Sequence, residues 1–99
     1  MSVADTIQQK LQAELKPEHI EVLNESHNHH VPPNSETHFK VVLVSSTFKG
    51  LRLLARHRKV NEILAYELAN GVHALSMHTY TPDEWQALAE VPSSPKCRG

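Results

Sequence analysis

Val3, Ile7, Leu11 and Leu15 recur every four residues among polar neighbours, so they form one apolar stripe of a helix near the start of the chain. Ser2 and Asp5 have the spacing of a capping box, in which each side chain satisfies a backbone N–H of the first turn. Lys16-Pro17 ends the helix, because proline has no N–H to continue the ladder. From His19 to Ser26 the period shortens to two: Ile20 and Val22 alternate with Glu21 and are followed by Leu23, the pattern of a short strand. Residues 26–36 keep no period and are rich in turn formers, which predicts a loop. From His38 to Ser45 the run Phe39-Lys40-Val41-Val42-Leu43-Val44 is nearly continuous and β-branched, as a central strand requires.

Phe48-Lys49-Gly50 should turn the chain. Val60, Ile63, Leu64 and Leu68 then mark the buried stripe of a second helix over roughly Leu53 to Ala69, which Asn70-Gly71 stops. Val72 to Thr79 reads as a third strand, with His73, Leu75 and Met77 on one face and Val72, Ala74, Ser76 and His78 on the other. Thr81-Pro82-Asp83-Glu84 is a helix start with a cap, a proline at the first position and acids in the first turn, after which Trp85 and Leu88 should face inward. Val91 to Gly99 offers nothing to bury and is expected to be a flexible tail, leaving residues 1–90 as the folded domain.

The order is α-β-β-α-β-α. The first two strands are separated by a loop too short for a helical crossover, so they should pair antiparallel. The second and third can run parallel through a right-handed crossover. The expected fold is a single α/β (α+β) domain with a three-stranded mixed sheet, helices on one face and the other face open.

Ninety-nine residues suffice for one domain. A formal charge of −1 argues against coating nucleic acid or membrane by net charge, yet the charge is unevenly placed. Lys49, Arg52, Arg56, Arg58 and Lys59 fall within eleven positions, and no acid occurs between Thr37 and Asn61. This basic segment suits a solvated face, an acidic partner or a nucleic-acid contact. A Gly-x-x-Gly phosphate clamp is not complete, since only Gly50 is present. No secretory leader and no apolar run of about 20 residues is visible, so a cytoplasmic location is expected.

Eight histidines accompany a single cysteine, Cys97. His27, His29 and His30 cluster in the loop and His73 stands at the third strand. This composition points to metal or partner chemistry rather than covalent catalysis. No nucleophile elbow or nucleotide-wrapping loop is present, which favours a non-enzyme. From the residues alone, His73 also fits a polar residue at the rim of the core, and the loop histidines fit surface decoration. Zinc on clustered imidazoles is a competing metal reading, although the loop spacing is not that of a helical zinc site. Cys97 reads as an unremarkable exposed thiol.

The phrases His30-Val31-Pro32-Pro33-Asn34-Ser35-Glu36-Thr37-His38-Phe39 through Ser45, Phe48 with Gly50, Arg56-His57-Arg58, Val72-His73-Ala74-Leu75 and Thr79-Tyr80-Thr81-Pro82-Asp83-Glu84-Trp85 closely resemble the BolA family from Ile7 to Leu88. The resemblance implies a fold akin to the class II KH domain and a cytosolic protein that pairs with a monothiol glutaredoxin. It further implies a shared [2Fe-2S] cluster, with roles in iron handling and, in bacteria, transcription and cell morphology. His73 matches the family's carboxyl-terminal ligand histidine, and His29 matches the loop ligand position, with His30 and then His27 as rivals. Imidazole can replace thiolate on such clusters, as in Rieske centres. Two histidines are too few to close a cluster, so the glutaredoxin cysteine and its glutathione would supply the remaining thiolates. DNA contact through Lys49, Arg52, Arg56, Arg58 and Lys59 is the alternative.

Overall fold

The structure, a computed structural model, describes residues 2–26 and 35–90. Helix α1 spans Val3–Leu15 and begins with the expected box: Asp5 N donates to Ser2 Oγ at 3.1 Å and Ser2 N to the Asp5 carboxylate at 3.3 Å. Lys16 leaves the helix in the left-handed region at φ 44°, its N–H still donating to Gln12 O. The first strand, β1 (His19–Asn24), pairs antiparallel with β2 (His38–Val44), and β2 pairs parallel with β3 (Ala74–Tyr80). The sheet order is β1-β2-β3, so the most apolar strand lies at the centre. A 3-10 turn, Ser46–Phe48, leads through Gly50 at φ 79° to α2 (Leu53–Ile63) and the short α3 (Ala65–Ala69). The last helix, α4, is Pro82–Glu90.

The core forms where the α1 stripe, Ile7, Leu11 and Leu15, meets Phe39, Val41 and Leu43 on one face of β2. Phe48, Val60, Leu64 and Val72 close it from the crossover segment. Burying a side chain of this size contributes about 1.5–3 kcal/mol, so this cluster dominates the stabilisation of the fold.

Four local expectations change. The helix over Leu53 to Ala69 is two helices, with Leu64 between them at φ −101° and ψ 21°. Its apolar stripe nevertheless runs across the break, where Leu68 N donates to Leu64 O. Strand β3 begins at Ala74, so Val72 drops into the core while His73 stays exposed. The helices do not all keep to one face. α4 sends Trp85 onto the side opposite the core, stacked on His19 at 4.9 Å and near Tyr80 at 5.3 Å. Val44, paired in register with both His19 and Tyr80, is fully buried at that end. Leu88 faces outward rather than inward, with 44% of its surface exposed. The expected flexible tail, residues 91–99 with Cys97, and the loop histidines His27, His29 and His30 lie outside the described residues.

Candidate functional site

The histidine-bearing loop leaves the fold at Ser26 and returns at Ser35, and both ends are fastened by hydrogen bonds. Asn24 accepts from Ser26 N at 2.9 Å through its side-chain oxygen and donates to Ser35 O at 2.9 Å, which bends the chain out of β1. Ser26, almost fully buried, accepts through Oγ from Thr37 N at 2.9 Å and His38 N at 3.1 Å. The Thr37 carbonyl then accepts from His73 N at 2.8 Å and Ala74 N at 3.2 Å. One residue, Thr37, therefore joins the root of the loop to His73. Glu36, beside it, accepts from Val3 N and Ala4 N at 3.2 and 3.3 Å, a carboxylate at the positive end of α1.

His73 is exposed, so its imidazole can reach a partner. Its ring lies parallel to that of His38, with centroids 6.3 Å apart and an interplanar angle of 11°. His38 Nδ1 is hydrogen-bonded to Thr37 Oγ1 at 2.9 Å. Sequence reasoning passed over His38 because it is one position in a strand, 35 residues from His73. Only the register, with His38 opposite Ala74, brings the two together. Among the described residues no group of three or more His, Cys, Asp or Glu is gathered to hold a metal.

The basic segment divides. Lys49, Arg52 and Arg58 are exposed, whereas Lys59 is half-buried and lines a cleft between α1 and α2 that also holds Glu14 and Glu62. Arg56 does not belong with the exposed cations. Its side chain is 10% exposed; Nη1 and Nη2 donate to the two Glu84 oxygens at 2.6 and 3.0 Å, Nε to Leu51 O at 2.9 Å and Nη1 to Thr79 O at 3.1 Å. The hydrogen bonds to Glu84 raise the guanidinium's pKa further. Hydrogen bonding from Arg56, then from Thr81 N–H, lowers that of Glu84 to about 2. This arginine ties α2 to the end of β3 and to α4, and its charge is neutralised there. A shallow cleft beside it, lined by Leu51, Leu53, Tyr80, Ala87 and Leu88, leaves Leu53 59% exposed, with Leu54 at 69% nearby. The seven residues of β3 separate this end from His73 by about 20 Å.

No helix among the described residues is long and apolar enough to cross a membrane. The family model for BolA-like proteins matches residues 11–84. The "DNA-binding transcriptional regulator BolA" of Vibrio cholerae is 55% identical over 98 residues, covering 98% of this chain and 92% of that one. The Escherichia coli protein of the same name is 51% identical over 100 residues, covering 100% and 95%. The solution structure of BolA1 from Mus musculus superposes with a TM-score of 0.82 at 46% identity, covering 100% of this chain and 80% of that one. With the sheet order, the matched segment and these identities agreeing, the chain belongs to the BolA-like protein family.

Proposed function

We propose that this protein is an adaptor that binds a monothiol glutaredoxin and shares with it a histidine-ligated [2Fe-2S] cluster, serving cluster delivery or iron regulation. The observation that carries the reading is the Thr37 carbonyl, which holds exposed His73 beside the root of the loop bearing His27, His29 and His30. The donor set fits the group in kind, since imidazole nitrogen is an accepted cluster ligand. It also fits in number: His73 and one loop histidine, His29 by its place in the family motif, make a half-set that a partner's thiolates must complete. The cluster would supply electron storage and a labile, transferable iron-sulfur unit. The chain's own part is to offer two imidazoles, of which His73 stands on a backbone hydrogen-bonded to Thr37, so that metal holding and partner binding become one event. The test is to mix the protein with a monothiol glutaredoxin, glutathione, iron and sulfide. A visible spectrum distinct from that of the glutaredoxin homodimer is expected, and His73→Ala should abolish the difference. A spectrum indifferent to that substitution removes His73 from the site.

A second reading is DNA contact. It is supported by the name of the Vibrio cholerae and Escherichia coli relatives and by the exposure of Lys49, Arg52 and Arg58, of which Arg52 lines the cleft beside Tyr80 at the far end of β3. Because the two ends are about 20 Å apart, the two activities do not compete for the same residues.

A further inference from the structure

We propose that the cleft between α2 and α4 is a docking groove for an amphipathic helix of a partner protein, apolar on one face and acidic along its flank. The cleft encloses about 560 Å³ and is walled by Leu51, Leu53, Tyr80, Ala87 and Leu88. Leu53 and Leu88 keep 59% and 44% of their surface in solvent, and Leu54, next to Leu53, keeps 69%. Leucines left uncovered side by side mark a surface that a partner covers.

Charge identifies that partner. Arg52 lines the same cleft, and exposed Arg58 stands one helical turn from Leu54 on α2. Among the described residues neither arginine is paired with an acid, and none occurs in sequence between Thr37 and Asn61. Arg56 and Glu84 also line the cleft but neutralise each other, so that wall presents no uncompensated charge to an apolar side chain. A DNA duplex would answer the arginines and leave the leucines in water, whereas an apolar helix with an acidic flank answers both. On α4 an exposed acid, Asp83, opposes a second acidic chain, so the partner's acidic flank lies over α2 and its apolar face over Ala87 and Leu88.

The backbone here favours a helix over an added strand. Strand addition needs free N–H and C=O groups at a sheet edge. Thr79 O already accepts from Arg56 Nη1, and Tyr80 O from Ser45 N. Recognition is left to side chains, as when a helix lies in a groove. The groove is about 20 Å from His73, so its occupant does not displace a protein bound at the histidines. The inference does not rest on the cluster reading. It shares Arg52 and Arg58 with the DNA reading and parts from it at the leucines.

NMR titration of the isotope-labelled full chain tests this, the probe being a synthetic helical peptide with leucine at i, i+3, i+4 and i+7 and glutamate beside them. Amide shifts should gather at Leu53, Leu54, Ala87 and Leu88 and be absent at His73 and Ala74. Changing the peptide's leucines to serine, or its glutamates to lysine, should weaken binding at least about tenfold. Leu53→Ser and Leu88→Ser, at positions already open to solvent, should each weaken it about tenfold and leave the affinity for a fluorescent DNA duplex within twofold. DNA affinity that falls with the leucines makes the cleft a nucleic-acid surface and overturns the proposal. Shifts that map elsewhere, a serine peptide that binds as tightly as the leucine peptide, or no saturable shift at millimolar peptide also overturn it. The wild-type shift map decides the matter even where a variant folds poorly. Because glutaredoxin, iron and sulfide are all absent from the titration, failure here leaves the cluster reading untouched.

Discussion

Glu84 and Arg56, 28 residues apart in sequence, meet in a two-point hydrogen-bonded ion pair at 2.6 and 3.0 Å. The same carboxylate accepts from Thr81 N at 3.0 Å, so one side chain both caps α4 and clamps that helix to α2. A carboxylate held at about 2, against an ordinary 4.5, binds its proton more weakly folded than unfolded. Its contribution is therefore complete above about pH 4.5 and is lost as pH falls towards 2. Glu84 is 45% exposed and solvent screens the pair, so the effect should be about 1–2 kcal/mol rather than the larger figure the shift alone implies. Glu84→Gln should lower unfolding free energy by that amount at pH 7 and flatten the decline between pH 4.5 and 2, as read by urea titration. A variant that tracks the wild type at every pH would show that the pair stabilises nothing.

The division of the basic segment makes the DNA reading specific. Removing one phosphate-neutralising cation should reduce the slope of log affinity against log salt by about 0.9. Replacing Lys49, Arg52 and Arg58 together by Gln should lower the slope by up to about 3, measured by fluorescence anisotropy on duplex DNA across salt concentrations. Arg56→Gln should leave the slope unchanged and cost stability instead, because its charge is already neutralised by Glu84. If removing Arg56 flattens the salt dependence while the other three do not, the assignment of exposed cations is wrong.

The carboxylate of Glu36 satisfies two of the orphan N–H groups at the start of α1 from 32 and 33 residues away. Glu36→Ala should cost about 1 kcal/mol and accelerate amide exchange at Val3 and Ala4. The Ser2–Asp5 box remains in place, so exchange further along α1, at Leu11, should follow global stability only.

What the sequence made legible was local. The Ser2–Asp5 box, the β-branched run of β2 and the Thr81–Glu84 box are each written within a few neighbouring residues, and each element begins or runs where those residues place it. Arg56 was hidden because nothing near it is acidic; its partner arrives only when α4 packs at the end of β3. His38 was hidden for the same reason, its neighbour His73 being brought in by parallel register. Trp85 was expected to face inward, but its apolar character does not say against which sheet face, and that depends on how α4 crosses the sheet end.

Ser26 offers the most direct link between the fold and the proposed site. Its Oγ accepts from two backbone N–H groups, Thr37 and His38, in an almost fully buried setting. Ser26→Ala leaves both donors unpaired without changing the chain's course, at a cost of about 2–3 kcal/mol. Amide exchange at Thr37 and His38 should accelerate more than at Met77 in the middle of β3, because the local anchor fails before the sheet does. Loosening the loop root should also weaken the mixed glutaredoxin spectrum while His73 itself is intact. Uniform acceleration across all three amides would instead mean that Ser26 supports the domain as a whole and has no particular hold on the loop.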